Sequence, residues 1–150
     1  GVDLVRLVNT NMNVADLQRS REFYRLLGFT ESESGSQAGS GEFAAAHGFD
    51  GPIEFEGEDI SLGEGTDGAT IQLRQWKSPY DNASSYPPPV NHLGIDRINF
   101  YVRDLTVVIK TMNELGFEQL GPIGGGPGGG IVFFLDPDGI KVQLSGPSTD

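Results

Sequence analysis

Apolar and polar positions along this chain fall into two rounds of the same rhythm. The first opens with a strand candidate over residues 4–13, which stops before Asp16, a residue type that caps helix N-termini. A helix follows over 17–27, and Gly28 is its expected stop. Three strands are predicted after it, over 30–34, 53–62 and 69–76, with a short helix over 43–47 between the first two. The second round repeats the order. Residues 95–102 alternate as a strand, Asp104 caps, and Leu105, Val108, Met112 and Leu115 form a 3-4-3 apolar stripe that ends at Gly116. Strands over 118–123, 131–135 and 140–145 complete it. Each round thus reads as a βαβββ module, and the fold class is α+β.

Residue identities carry the same duplication. Asp16, Leu17, Leu27, Gly28 and Phe29 return as Asp104, Leu105, Leu115, Gly116 and Phe117, an offset of 88. The segment Asp67-Gly68-Ala69-Thr70-Ile71-Gln72-Leu73 returns as Asp138-Gly139-Ile140-Lys141-Val142-Gln143-Leu144, an offset of 71. The difference of 17 places an insertion in the middle of the first module. The expected organisation is a first module over 1–76, a linker over 77–91 rich in proline (Pro79, Pro87, Pro88, Pro89), and a second module over 92–150.

Strand parity then selects the side chains of interest. If Ile71 and Leu73 pack under the helix, Thr70, Gln72, Arg74 and Trp76 share the opposite face. The same parity groups Lys141, Gln143 and Ser145 in the last strand, Asn9, Asn11 and Asn13 in the first leading strand, and Arg97, Asn99 and Tyr101 in the second. Unpaired polar groups are costly in a packed core, so a face this polar reads as the lining of a pocket.

Composition narrows the function classes. The 150 residues, 37% hydrophobic, suffice for one domain or for two small modules sharing a core. No apolar run approaches the roughly 18 residues that span a bilayer, and no signal peptide is visible behind Gly1, so a cytoplasmic location is expected. A net charge of −11 opposes binding to nucleic acid or anionic membranes. The absence of cysteine excludes disulfides, thiolate metal sites and a cysteine nucleophile.

The chain resembles the vicinal oxygen chelate superfamily, which includes glyoxalase I, bleomycin-resistance proteins, methylmalonyl-CoA epimerase and extradiol dioxygenases. The resemblance is carried by Asn13-Val14-Ala15-Asp16-Leu17, Ser20, Phe23-Tyr24 and Leu27-Gly28-Phe29 in the first copy. In the second it is carried by Val102-Arg103-Asp104-Leu105, Leu115-Gly116-Phe117, Asp136-Pro137-Asp138-Gly139 and Val142-Gln143-Leu144. It implies two βαβββ modules forming an incomplete barrel around one cavity, in a homodimer. It also implies four metal-ligand places, seven residues before each capping Asp and just before the Leu of each final strand. Those places hold Asn9, Gln72, Arg97 and Gln143. Three neutral amides and a cation replace the usual His and Glu, so neither a catalytic metal nor another cofactor is expected.

Arg97 is the natural substitute for the metal, a fixed positive charge able to hold a carboxylate or stabilise an enolate. Its structural alternative is an internal ion pair with Glu54 or Glu56. Gln72, Gln143 and Asn9 join it as candidate catalytic residues. Asn11, Arg74, Trp76, Asn99, Tyr101, Lys141 and His47 are candidate substrate-binding residues. His47 and His92 are the only side chains with an ordinary pKa near neutrality, and each has an ordinary loop role as its alternative. Tyr24 is expected in the core. Trp76 with Phe133 or Phe134 offers an aromatic wall or plain packing. The glycine run over 121–130 lacks a following helix and a Gly-Lys-Ser/Thr ending, so it reads as a mobile loop rather than a phosphate loop. Two function classes remain. One is a metal-independent enzyme (isomerase, epimerase, cyclase or lyase) acting by acid/base chemistry on an anionic or carbonyl-bearing small molecule. The other is a protein that sequesters an antibiotic or natural product.

Overall fold

A computed structural model describes residues 2–63, 68–83, 87–89, 91, 93–126 and 128–149. Asp67, His92 and Pro127, with 84–86 and 90 of the expected linker, lie outside the described residues. The chain divides into two compact units, Gly1–Ala83 and Ser84–Asp150.

The first unit contains β1 (Thr10–Asn13), α1 (Leu17–Leu26), β2 (Thr30–Gly39), α2 (Glu42–Ala46), β3 (Ile53–Leu62) and β4 (Ala69–Ser78). The second contains β5 (Arg97–Tyr101), α3 (Leu105–Glu114), β6 (Gly124–Gly126), β7 (Gly129–Leu135) and β8 (Lys141–Pro147). Their sheets have equivalent orders, β1-β4-β3-β2 and β5-β8-β7-β6. In each, the leading strand runs parallel to the last, and the remaining pairs are antiparallel. The duplication read from sequence is thus a duplication of topology, and each unit is a βαβββ module. No described helix is long and apolar enough to cross a membrane.

The repeat-equivalent helices α1 and α3 begin where a capping aspartate requires. Asp16 is extended at φ −142° and its carboxylate accepts from the Arg19 amide at 3.0 Å. Asp104 accepts from the Thr106 and Val107 amides at 2.9 and 3.3 Å. Gly28 and Gly116 terminate the helices at φ 97° and 89°, a conformation that glycine enters without steric cost. Ten-residue helices are marginal alone, so packing must hold them. In the first unit Phe23 and Tyr24 of α1 are buried with Phe29, Ile60, Ile71 and Leu73, their rings meeting edge-on at 5.1 Å. In the second, Leu105 and Met112 are buried with Val132, Phe134, Val142 and Leu144.

Several boundaries differ from the sequence reading. The first strand is Thr10–Asn13 rather than residues 4–13, and Leu4, Val5, Leu7 and Val8 are exposed. The parallel register sets Thr10 against Ile71, so only Ala69 and Thr70 of β4 remain upstream to pair. Asn9 accordingly precedes the strand. The predicted strand over 118–123 supplies only an isolated bridge, Gln119 to Phe134, and pairing resumes at β6 within the glycine run. There the backbones approach so closely that a Cβ on Gly125 would sit 2.5 Å from the Gly129 carbonyl oxygen. Leu115 is half exposed rather than packed, because it is the C-cap residue of α3 and lies outside the helix's regular turns. The residues over 40–52, within the 17-residue excess, form a small second cluster on the first unit. Ala44 packs there with Ile53 and Phe55, and Phe49 and Trp76 lie against them.

Candidate functional site

In the first unit, β1 and β4 place Asn11 beside Gln72 and Asn13 beside Arg74. Met12, Ile71 and Leu73, at the intervening positions, are buried under the helix, so the polar residues share the other face as alternation requires. The Gln72 amide oxygen is the centre of this face. It accepts from Asn11 Nδ2 at 2.8 Å and from Arg74 Nε and Nη2 at 3.1 and 2.9 Å. The Arg74 guanidinium stacks on Phe55, 4.4 Å from the ring centroid. Trp76 donates its indole N–H to Asn13 Oδ1 at 2.9 Å. Burial pulls the Arg74 guanidinium below its usual pKa while Asp59 pulls the other way. Arginine nonetheless remains a cation in proteins.

His47, the C-cap of α2, completes the group. Its Nδ1 lies 2.8 Å from the Phe43 carbonyl oxygen, which can only accept, so Nδ1 carries the proton in the neutral ring. Nε2 therefore presents a lone pair, 3.5 Å from Arg74 Nη1. The rings of Phe55 and Trp76 flank the imidazole at 6.3 and 6.5 Å, and Phe49 lies 5.6 Å from Trp76. A base, a cation and an aromatic surface thus come together in the first unit.

The second unit has a related arrangement. Arg97 Nε donates to Gln143 Oε1 at 2.6 Å, Gln143 Nε2 donates to Ser145 Oγ at 3.0 Å, and Ser145 Oγ donates to Asn99 Oδ1 at 2.8 Å. The guanidinium also lies 5.5 Å from the centroid of the Phe133 ring. Its ion-pair partner is Asp96 at 2.7 Å, not Glu54 or Glu56, the pairing that stood as the structural alternative; Glu56 pairs instead with Lys77 at 3.8 Å. Strand alternation argues against a partner one residue away, but Asp96 stands just outside β5, where that alternation no longer holds it. The Arg97 hydrogen bond, and then Lys141, hold the Asp96 carboxyl below its usual pKa. Lys141 is buried, bonding the Pro88 carbonyl and Asp96, which makes it a tether of the preceding segment as much as a ligand group. Tyr101 is 77% exposed. Asn9 makes no side-chain hydrogen bond among the described residues, and Gln72 takes Asn11 in its place.

Sequence reasoning missed Asp96, Phe49 and Phe55. It also missed Glu58, on the helix side of the first sheet, whose side chain is 1% exposed. One oxygen of Glu58 meets Arg21 at 3.2 Å, while the other has no partner among the described residues. Burial raises its pKa despite Arg21.

The chain's family emerges from the match between this duplicated topology and a family model covering residues 6–144, described as the glyoxalase/bleomycin resistance protein/dioxygenase superfamily. The chain belongs to that superfamily. A glyoxalase family protein from Bacillus cereus is similar in structure, at 22% identity and a TM-score of 0.82, over 99% of this chain and 97% of that one. The fosfomycin resistance protein FosX from Listeria monocytogenes is similar at 13% identity and a TM-score of 0.65, over 97% and 96%. An antibiotic-binding protein from Streptomyces sp. CB03234 is similar at 19% identity and a TM-score of 0.59, over 99% and 100%. Among curated proteins, none matches this sequence.

The superfamily implies a divalent metal, and the donor set does not fit one. The oxygens of Gln72 and Gln143 are already taken up by guanidinium donors, which would face an incoming cation at close range. Among the described residues, no group of three or more His, Asp or Glu could replace them.

Proposed function

We propose that the protein is a metal-independent small-molecule enzyme, with its chemistry at Arg74 and His47. Arg74, fixed by Gln72 and Phe55, holds a carboxylate or polarises a carbonyl. His47 Nε2 takes a proton from the adjacent carbon and returns it, while the enolate formed in between is stabilised by the guanidinium. The observation that carries this reading is the 3.5 Å approach of His47 Nε2, the acceptor nitrogen of the Nδ1–H tautomer, to the Nη1 of a fixed arginine. A bound oxygen at Nη1 would bring its α-carbon within reach of that nitrogen. Asn11, Asn13, Gln72 and Trp76 orient the substrate. Arg97, Gln143 and Asn99 give the second sheet a polar binding face of its own, and the protein acts as a homodimer.

The test is proton exchange in deuterated water, followed by NMR, across a panel of small carboxylic acids and ketones with acidic α-hydrogens. Exchange by the wild type and its loss in His47→Gln, with binding retained, is expected. A second reading, sequestration of an antibiotic or natural product, is favoured by the aromatic cluster of Phe49, Phe55 and Trp76 and by the similarity to the Streptomyces antibiotic-binding protein. Ligands that bind but are never exchanged or converted would establish it instead.

A further inference from the structure

An Asn or Gln amide can present either its oxygen or its NH2 group, and its neighbour decides which. Guanidinium and indole N–H groups only donate, so each amide oxygen they touch is fixed inward. Arg74 fixes Gln72 Oε1 in this way, which obliges Asn11 to offer Nδ2 to the same oxygen. Trp76 fixes Asn13 Oδ1. On the second sheet the polarity travels further. Arg97 fixes Gln143 Oε1, so Gln143 Nε2 faces Ser145, Ser145 accepts it, and the Ser145 hydroxyl hydrogen goes to Asn99 Oδ1. What remains unused among the described residues is the NH2 of Gln72, of Asn13 and of Asn99; on the first sheet Arg74 Nη1 stands beside them, 3.5 Å from His47 Nε2, and Asn11 Oδ1 is the one amide acceptor of the group left over. The amide acceptors at these three positions are consumed, and the donors are left over.

We infer that the polar face of each sheet, taken by itself, is a donor surface that selects a ligand rich in acceptors and poor in donors, an oxyanion such as a carboxylate, sulfonate or phosphonate. This rests on the small-molecule reading above and narrows its substrate class. A neutral carbonyl would use one donor; an oxyanion uses two or three and also matches the arginine charge. The opposing acids are few. Asp59 lies across from Gln72 on β3 with Glu33 across from it on β2, and Asp96 is shared between Arg97 and Lys141, so two cations still meet one carboxylate there. Amines and amides are disfavoured because their N–H groups would face N–H groups.

The decisive variants are isosteric. In Asn13→Asp and Asn99→Asp one carboxylate oxygen keeps the inward bond to Trp76 or Ser145, while the other replaces an outward donor with a negative acceptor. The probes are sodium benzoate, inorganic phosphate and benzylamine, titrated into labelled protein with the side-chain amide signals of Asn13, Gln72 and Asn99 followed by NMR. Both anions should shift these signals in the wild type, and benzylamine should not. The Asp variants should lose anion affinity by about tenfold or more, from a lost charge-assisted bond and a new like charge. Asn13→Ala and Asn99→Ala should lose a smaller factor, which separates the effect of added charge from the loss of the donor. Absence of anion binding in the wild type, benzylamine binding as tight as benzoate, or unchanged anion affinity in the Asp variants would each overturn the inference. Turnover is read separately. Full activity in His47→Gln defeats the proton-transfer reading, whereas unchanged anion affinity in the Asp variants defeats this one.

Discussion

Two arginines on equivalent faces differ in how freely their charge can act. The Arg97 side chain is 40% exposed and its charge is answered by Asp96, whereas Arg74 is less exposed, stacked on Phe55 and bonded to a neutral amide. Arg74→Met should therefore weaken binding of an anionic ligand by about 1.5 to 3 kcal/mol, the range for hydrogen bonds to charged groups. Arg97→Met should cost less than about 1 kcal/mol, as for an exposed, screened ion pair. Arg74→Lys should recover only part of the loss, because an ammonium lacks the fork that engages Gln72 twice. Calorimetry with benzoate on the three variants checks the order. Glu58 makes a different prediction. Its folded pKa is raised above the unfolded value, so the folded state holds the proton more tightly, and stability falls as pH rises from the unfolded pKa through the folded one. Glu58→Gln should flatten that fall in thermal melts taken across the acidic range. An unchanged slope would mean that Arg21 fully compensates the buried charge.

At the scale of elements, α1 and α3 are short, capped by aspartate and held by a few large side chains. Asp104→Ala removes the acceptor for the Thr106 and Val107 amides and should cost about 1 kcal/mol. Met112→Ala opens a cavity beneath α3 and should cost about 2 to 5 kcal/mol, without altering ligand selectivity. Leu115→Ala, at a half-exposed position, should cost much less. Chemical denaturation orders the three. Gly146 shows a different constraint, since a Cβ there would overlap the Val102 carbonyl oxygen where β8 passes the end of β5. Gly146→Ala should destabilise the second unit by about 1 to 3 kcal/mol.

Across the whole molecule, the donor chemistry of both units points the same way although the residues arrive by different routes. In the first unit the arginine that engages the glutamine comes from β4 itself; in the second it comes from the leading strand β5. The duplication thus conserved the amide and reassigned the cation. Elemental analysis of the purified protein should find no stoichiometric transition metal, since the Gln72 oxygen and the Gln143 oxygen are each already held by a guanidinium. One tightly held iron, zinc, manganese or nickel per chain would contradict this.

By itself the sequence determined the double βαβββ order, the capped helices, the buried face of each sheet and the polar set on the other. Those features follow from periodicity, capping chemistry and repetition, all local or one-dimensional. Tertiary structure decided where the leading strand begins, because its length depends on how much of β4 remains to pair, and alternation within residues 4–13 contains no record of that partner. It decided that Arg97 answers Asp96, since an ion pair between adjacent residues depends on where the strand, and with it the alternation of side chains, begins. It also decided that the inserted segment carries His47 onto Arg74, a contact across 27 residues of sequence that no periodicity encodes. The direction of each amide was likewise settled only by its neighbours: Gln72 and Gln143 are symmetric choices until an arginine, fixed by the fold, takes their oxygens.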